Sequence, residues 1–485
     1  MATDELPLCA RCKEQRGVLD LRSEAVCQTC FTTFVASKTI KRLEVLQRET
    51  RSTRLPSRPQ RYLLALSRGP SSTALLHILN ENVQRQRERN QRVKFELAVV
   101  FVDVDVDVEA GKRSSQPDPI SPTPTNGATD TASSTSIPTA NTDAFATHFP
   151  DLPIHTIPLS SILSSRKIDW SLLPAQNHSL PPPQRLADFF SRLPSPSARA
   201  DVSRLLIRHA LYRAATAHDC AVVLLGYTTT SLAELTLSEA AKGRGFGIPW
   251  FVNDGAFPLP RAVGPDPESD PVETTAPTTA LGEGAERVED VSRDLASSRI
   301  NDGDGDSNAS IQIYSPLREI FRKEILTYLS IVSSSSGPLR DLFPSLSSSS
   351  HVSNDSGGGG GGLNNSTNGS AGAVVSHRDL SLDDVVTRFF ADVEAAYPSV
   401  VANVVRTTGK LNRVAPTQTD TDTGVLGRQC RLCGVGLDLL GDERWKGEIG
   451  EADVMNSSTV DADSRDVQGH KRGRLCYGCE RSVKG

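Results

Sequence analysis

A chain of 485 residues, 37% hydrophobic and 5% aromatic with a net charge of −5, has the length of two or three domains but too few core-forming residues to be one compact globule throughout. The small charge singles out no partner, no apolar run is long enough to cross a bilayer, and MATDELPLCARC at the start lacks the basic and apolar regions of a signal peptide, so neither a membrane role nor secretion is expected. The expected location is the reducing cytoplasm, where nine cysteines are metal ligands or catalysts before they are disulfides.

Residues 1–50 form the first unit, a four-cysteine module followed by a basic helix. Cys9-x2-Cys12 is followed, after 14 intervening residues, by Cys27-x2-Cys30. A CxxC turn aims two thiolates at one point, and two such turns complete a closed tetrahedral site for structural zinc. An iron–sulfur cluster is the alternative occupant of such cysteines. Beyond it, residues 31–61 carry eight Lys/Arg, among them Lys38, Lys41, Arg42, Arg48, Arg51 and Arg54, against Glu44 and Glu49. Such a run is either a solvated helix face or an electrostatic track for phosphates. Arg85, Arg87, Arg89, Arg92 and Lys94 add a second basic cluster.

Residues 55–335 form the second unit. Tyr62–Leu66 predicts a strand, Ser72–Asn90 a helix and Phe95–Val106 a strand. The turn between the first two has the layout of a pyrophosphate-binding loop, in which small residues, hydroxyls and a helix N-terminus face the phosphate. Ser67, Gly69, Ser71 and Ser72 fit it. Arg68 does not, because it tolerates a left-handed backbone poorly, and Pro70 removes one N–H donor. Asp103, Asp105 and Asp107 alternate with valines and share one strand face; lacking the glycine and spacing of a calcium loop, they read as a solvated strand end.

Further along, a Ser/Thr/Pro-rich insertion occupies about 111–150, DLPIHTIPL predicts a short strand, and Val202–Ala217 a helix with Val202, Leu205, Leu206 and His209 on one face. CAVVLLG at 220–226 is a buried strand, with Cys220 a small core residue rather than a nucleophile, and Ser231–Lys242 the helix after it. A polar, acidic insertion covers about 260–310. SPLREIFRKEILTYL at 315–329 predicts a helix capped by Ser315 with Pro316 in its first turn and Leu317, Ile320, Phe321 and Ile325 buried.

Residues 336–376 read as a Ser/Gly linker, and 377–485 as a helix plus a second cysteine module. Ser381 and Asp384 make a capping box, with Leu382, Val385, Val386, Phe389, Phe390 and Val393 as the apolar stripe. Cys430-x2-Cys433 and Cys476-x2-Cys479, 42 residues apart, supply a second structural zinc site.

Strands alternating with helices predict an α/β fold on a mostly parallel sheet, whose ligands sit beyond the carboxyl ends of the strands. Residues 67–72, 103–107 and 226–231 all fall at that edge.

LALSRGPSSTALLHIL resembles the SGGxDS loop of the PP-loop ATP pyrophosphatases, in the branch that thiolates tRNA. SRLLIRHALYRAATAHDCAVVLLGYTTTSLAELTL resembles that branch's helix, strand and turn, and SPLREIFRKEIL its PLR…KE helix. The resemblance covers about 5–110, 150–255, 311–335 and 376–485. It implies a PP-loop, adenine nucleotide alpha hydrolase-like domain with a zinc-ribbon module at each end and disordered insertions. The departures matter. Arg68 replaces a glycine and Ser71 the aspartate of the loop; Gly226-Tyr227-Thr228-Thr229-Thr230-Ser231 replaces a GHNxDD-type turn; and Ala200 and Ser203 fall where active members place a CxxC.

The resemblance therefore implies a degenerate, non-catalytic member for which ATP is doubtful. Its expected role is 2-thiolation of the wobble uridine, within 5-methoxycarbonylmethyl-2-thiouridine synthesis, in tRNAs for Lys, Glu and Gln. Its implied partners are a catalytic thiolase paralogue in a heterodimer, tRNA met through the basic tract, and a ubiquitin-related sulfur carrier. Two rival readings are an active ATP-dependent sulfurtransferase and a zinc-dependent scaffold unrelated to tRNA.

Overall fold

Uninterrupted apolar runs make central strands, because a strand covered on both faces has no solvent side to alternate toward. Tyr62–Leu64 in β3 (Gln60–Ala65) and all of β6 (Val222–Leu224) are buried in this way. They form the centre of a six-stranded sheet whose spatial order is β5 (Ile154–Pro158), β4 (Phe95–Asp103), β3, β6, β8 (Ser310–Tyr314), β7 (Gly255–Pro258). All neighbours are parallel except β7, which runs antiparallel to β8. The protein is known here as a computed structural model, which describes residues 6–50, 59–91, 93–104, 140–259, 310–334, 336–343, 380–413, 429–437 and 475–485.

Chain order reverses at β3, which has β4 on one side and β6 on the other. The loops after β3 and β6 thus flank the crevice where open parallel sheets hold their ligands. This is the parallel-sheet α/β architecture that the PP-loop resemblance implies.

Each face of the sheet is covered partly by one end of the chain. On one face, Tyr62, Leu64, Val99 and Val222 pack with α1 (Gln28–Thr50), α2 (Pro70–Glu88), α8 (Arg322–Ile331) and the first cysteine set. In α1, Phe31, Val35, Thr39, Leu43 and Leu46 recur every three to four residues and are buried. On the other face, Leu63, Val100 and Val223 pack with α4 (Pro182–Ser191), α5 (Pro196–Ala217), α6 (Thr229–Ala241) and the second cysteine set. Two more helices, α9 (Leu382–Ala396) and α10 (Pro398–Thr408), pack on α6. No helix among the described residues is long and apolar enough to cross a membrane.

Several predicted boundaries move. The helix expected from Ser315 starts at Arg322; residues 316–319 are a turn. The Arg318 and Ile320 carbonyls accept the Thr229 hydroxyl and N–H at the start of α6, so they are not spent in a helical ladder. Leu317, Ile320, Phe321 and Ile325 are nonetheless all buried. The insertion placed at 111–150 yields at its end to α3 (Ala140–His148), with Phe145 and Phe149 buried. A small hairpin, Ser333–Ser334 with Gly337–Pro338, and a short turn of helix run across the expected linker boundary. In α9 the apolar stripe is narrower than its sequence suggests: Val386 and Phe390 are buried, but Val385 and Phe389 are 49% and 53% exposed. Residues 105–139, 260–309, 344–379 and 438–474, which hold Asp105, Asp107 and most of the expected insertions and linker, lie outside the described residues.

Candidate functional site

At the crevice, the turn after β3 folds onto itself. Ser67 Oγ and Ser72 Oγ lie 3.1 Å apart, and the Gly69 carbonyl accepts the hydroxyls of Ser72 and Thr73, both at 3.0 Å. Two of the three hydroxyls expected to face a phosphate, those of Ser67 and Ser72, are thus engaged within the turn. Gly69 caps α2 with an ordinary φ of −84°; it is Arg68 that takes the left-handed value of 58°. A non-glycine residue there costs on the order of 1 kcal/mol or more. The Arg68 guanidinium offsets this by lying 3.6 Å from the Phe101 ring centroid on β4. Burial lowers its pKa, and Asp103 at the end of β4 opposes that shift.

The turn after β6 fills the other side. A Cβ on Gly226 would lie 2.9 Å from both Cα and N of Ser72, so the two loops meet backbone to backbone. The threonines that follow have structural partners. Thr228 and Ser231 form a capping box on α6. Thr230 donates to Glu394 of α9 at 2.5 Å and accepts the Arg322 N–H at 3.0 Å. Residues 226–231 contain no carboxylate.

Each cysteine set converges in space. The four Sγ atoms of Cys9, Cys12, Cys27 and Cys30 lie within 4.8 Å of one another, as do those of Cys430, Cys433, Cys476 and Cys479. Cys12–Cys27 and Cys433–Cys476 are 3.8 and 3.7 Å apart. Disulfide sulfurs would be about 2.05 Å apart, whereas Zn–S bonds of about 2.3 Å in a tetrahedron give sulfur–sulfur edges of about 3.8 Å. The backbone N–H of Cys12 lowers the Cys9 thiol to about 6, while contact with Cys27 pushes Cys30 up to about 12. Contact with Cys430 likewise holds Cys433 well above the ordinary thiol value. Four thiols this close cannot all ionise unless a cation sits among them, so the donor set fits a metal ion. Cys220 stands apart from both sets, buried, its thiol raised to about 11 by burial, as a core residue should be.

The basic helix is less free than its composition suggests. Lys38 pairs with Glu319 at 3.1 Å, and Arg42 with Asp254 at 2.6 Å, so both hold α1 to the loops after α7 (Ile248–Val252) and β8. Lys41 and Arg48 are exposed with no acidic partner among the described residues, and Arg48 Nε reaches only the Glu44 carbonyl. Arg51, Arg54 and Arg92 lie outside the described residues.

Sequence reasoning missed a buried ion cluster beside the second cysteine set. Asp201 and Glu239 are both 0% exposed. Arg244 bonds Asp201 and Glu239, at 3.0 and 3.1 Å through one nitrogen. Arg204 reaches both acids as well, from Asp201 at 2.9 Å. Lys242 lies 3.2 Å from Asp201 and 2.7 Å from Asp383 of α9. Ser482 of the last helix, α11 (Tyr477–Lys484), donates to Asp201 at 2.8 Å. Burial would raise the Asp201 carboxyl, but Arg244, Arg204 and Lys242 hold it far below its ordinary value. Nearby, His209 Nε2 lies 2.6 Å from the Leu432 carbonyl between Cys430 and Cys433, and burial lowers its pKa to about 4.

The profile of the cytoplasmic tRNA 2-thiolation protein 2 family matches residues 381–481. Proteins of that name from Phaeosphaeria nodorum and Sclerotinia sclerotiorum are similar to this chain. The first is 28% identical over 495 residues, covering 99% of this chain and 95% of its own length. The second is 31% identical over 403 residues, covering 82% and 80%. Among solved structures, the U34-tRNA thiolase NcsA from Methanococcus maripaludis with its [4Fe-4S] cluster aligns over 89% of this chain and 96% of its own, with a TM-score of 0.41 and 11% identity. At 31% identity across four-fifths of both sequences, this chain belongs to the cytoplasmic tRNA 2-thiolation protein 2 family.

Proposed function

We propose that the chain is a non-catalytic subunit of the cytosolic machinery that places sulfur on the wobble uridine of tRNAs for Lys, Glu and Gln. In this reading it binds tRNA and completes a heterodimer with an active thiolase paralogue, which takes sulfur from a thiocarboxylated ubiquitin-related carrier. The crevice carries the proposal. Activating a uridine carbonyl with ATP needs Mg²⁺-neutralised phosphates, and the sulfur step needs a nucleophilic sulfur. Here the Ser67 and Ser72 hydroxyls are bonded within the loop, Gly226 packs on Ser72, and Thr230 anchors α9. Where active relatives of the resemblance carry a CxxC, this chain has Ala200 and Ser203, and Asp201 between them is committed to the ion cluster. Of the cysteines, eight lie in the two closed sets and Cys220 is buried.

Both cysteine sets are assigned to structural zinc, supported by sulfur–sulfur edges that suit one ion. Metal analysis of the purified protein should find two zinc per chain; iron with visible cluster absorption would replace that assignment. Lys41 and Arg48, with Arg85, Arg87 and Arg89 toward the end of α2, are the tRNA contacts proposed, reading the phosphate backbone. The deciding experiment combines mass spectrometry of tRNA from a deletion strain with reconstitution. Loss of wobble thiolation on deletion, and no thiolation by the chain alone with ATP, magnesium and a sulfur donor, are expected. Turnover by the isolated chain would refute the non-catalytic role, and intact thiolation in the deletion strain would refute the pathway.

A further inference from the structure

Two arginines among the described residues take left-handed backbone, Arg22 with a φ of 54° and Arg68 with a φ of 58°. Arg22 is tied there by its side chain, which bonds Glu324 at 2.7 Å and the Glu319 carbonyl at 2.8 Å. Arg68 has no such tie. Its guanidinium makes no hydrogen bond or ion pair among the described residues, and its Nε is buried without a partner. Asp103 favours its charge but forms no ion pair with it. What fixes the side chain is Phe101, whose ring centroid lies 3.6 Å from the guanidinium carbon. Such a stack covers one face of the plane and leaves the edge, where all five N–H donors lie, for an acceptor. Backbone strain persists where the surroundings over-determine it, and it gathers at ligand clamps.

We propose that Arg68 is a receptor for one phosphate group at the crevice of the sheet, with Phe101 holding the guanidinium plane so that its edge bonds two phosphate oxygens. The place is that of a ligand: Arg68 follows β3, where chain order reverses, and its ring partner is near the carboxyl end of β4. The chemistry fits as well, since a guanidinium stacks on a ring and meets a phosphate bidentately at the same time. Glycine would suit this backbone better, so the arginine stands there against local preference for the sake of its head group. The inference goes beyond the function proposed above. A crevice whose second turn has no carboxylate to hold magnesium still presents one stacked cation, which suits a single phosphate rather than a magnesium–triphosphate. That phosphate belongs either to an RNA backbone or to a free ion.

Full-length protein in magnesium-free buffer is titrated with inorganic phosphate, with pyrophosphate and with tRNA, as wild type and as Arg68→Asn. Asparagine accepts a left-handed backbone and carries no charge, so the turn is kept while the receptor is removed. Loss of one charge-assisted contact should weaken the ligand that supplies the phosphate by about 10–100-fold. If tRNA supplies it, the slope of log affinity against log salt becomes shallower by about one. A loss confined to the inorganic ions assigns the site to free phosphate. In both cases the wild-type Arg68 Nε–H resonance should move on titration, and that measurement decides alone if Arg68→Asn does not fold. The proposal is overturned if the wild type binds none of the three. It is equally overturned if wild type and variant bind all three alike, or if the resonance stays in place at saturation. The inorganic titrations involve no tRNA, so their failure is separate from a failure of the thiolation pathway.

Discussion

Asp201→Asn keeps the side chain's shape and removes its charge, which isolates what the buried carboxylate contributes. In the wild-type chain Asp201 accepts from Arg244, Arg204 and Ser482 and lies 3.2 Å from Lys242, at 0% exposure. After the substitution three cations share one buried acid, Glu239, with Asp383 at the rim. Breaking a buried charge pair by removing one partner costs about 3–5 kcal/mol, because the remaining charge stays out of water unmatched. Spread over a domain of this size, that is roughly 6–20 °C of Tm. Thermal melts followed by tryptophan fluorescence would report it, since Trp250 is buried on the same face of the sheet. A double-mutant cycle with Arg244→Gln should recover part of the loss. A drop below about 1 kcal/mol would refute the claim that this carboxylate is dry and paired.

Gly226→Ala should destabilise the protein by about 1–3 kcal/mol in urea titrations, because the new methyl meets backbone that cannot swing aside; a neutral result would mean that the two loops do not touch. His209 makes stability pH-dependent. Its folded pKa of about 4 lies below the unfolded value of about 6.5, so the unfolded chain takes the proton first as pH falls. Stability should decline between those values by up to about 3 kcal/mol, and a His209→Gln protein should flatten the slope. Asp201, depressed in turn, adds its own loss only below about pH 4. In hydrogen exchange, amides of residues 8–27 should open at lower free energy than those of 477–484, with the reverse order refuting the energetic ranking of the two modules argued below.

What the sequence disclosed divides by range. The cysteine sets were legible because each CxxC fixes two ligands locally, so only the meeting of two rigid pairs had to be inferred. The core strands and α5 were legible because burial imposes its period on neighbouring residues; Val202, Leu205, Leu206 and His209 are all buried as expected. In the basic tract, Lys38 and Arg42 find acids 281 and 212 residues away, pairings that local spacing does not record. The ion cluster was invisible for the same reason, since Asp201 meets Arg244 43 residues on and Ser482 281 residues on. The 315–329 segment misled differently. Its apolar residues are buried, but the carbonyls of its first turn serve another element, which periodicity does not record.

The two cysteine modules look alike as sequence and differ in how they are attached. The first docks largely through α1 and through Arg22, which bonds Glu324 at 2.7 Å while its side chain stays 37% exposed. Only the Arg22 side of that pair reaches water, since the Glu324 side chain is 4% exposed, so the pair is worth more than the about 0–1 kcal/mol of a surface pair and less than a fully buried one. The second is held by groups that water does not reach: the Leu432 carbonyl on His209, and Ser482 and Gly478 against the Asp201–Arg244 cluster. Removing any one of those leaves an unmatched polar group inside, at a higher cost. The cluster lies beside Ala200 and Ser203 on α5, and α9 is anchored through Glu394 to Thr230 in the turn after β6. Both contacts hold the C-terminal segment against the sheet.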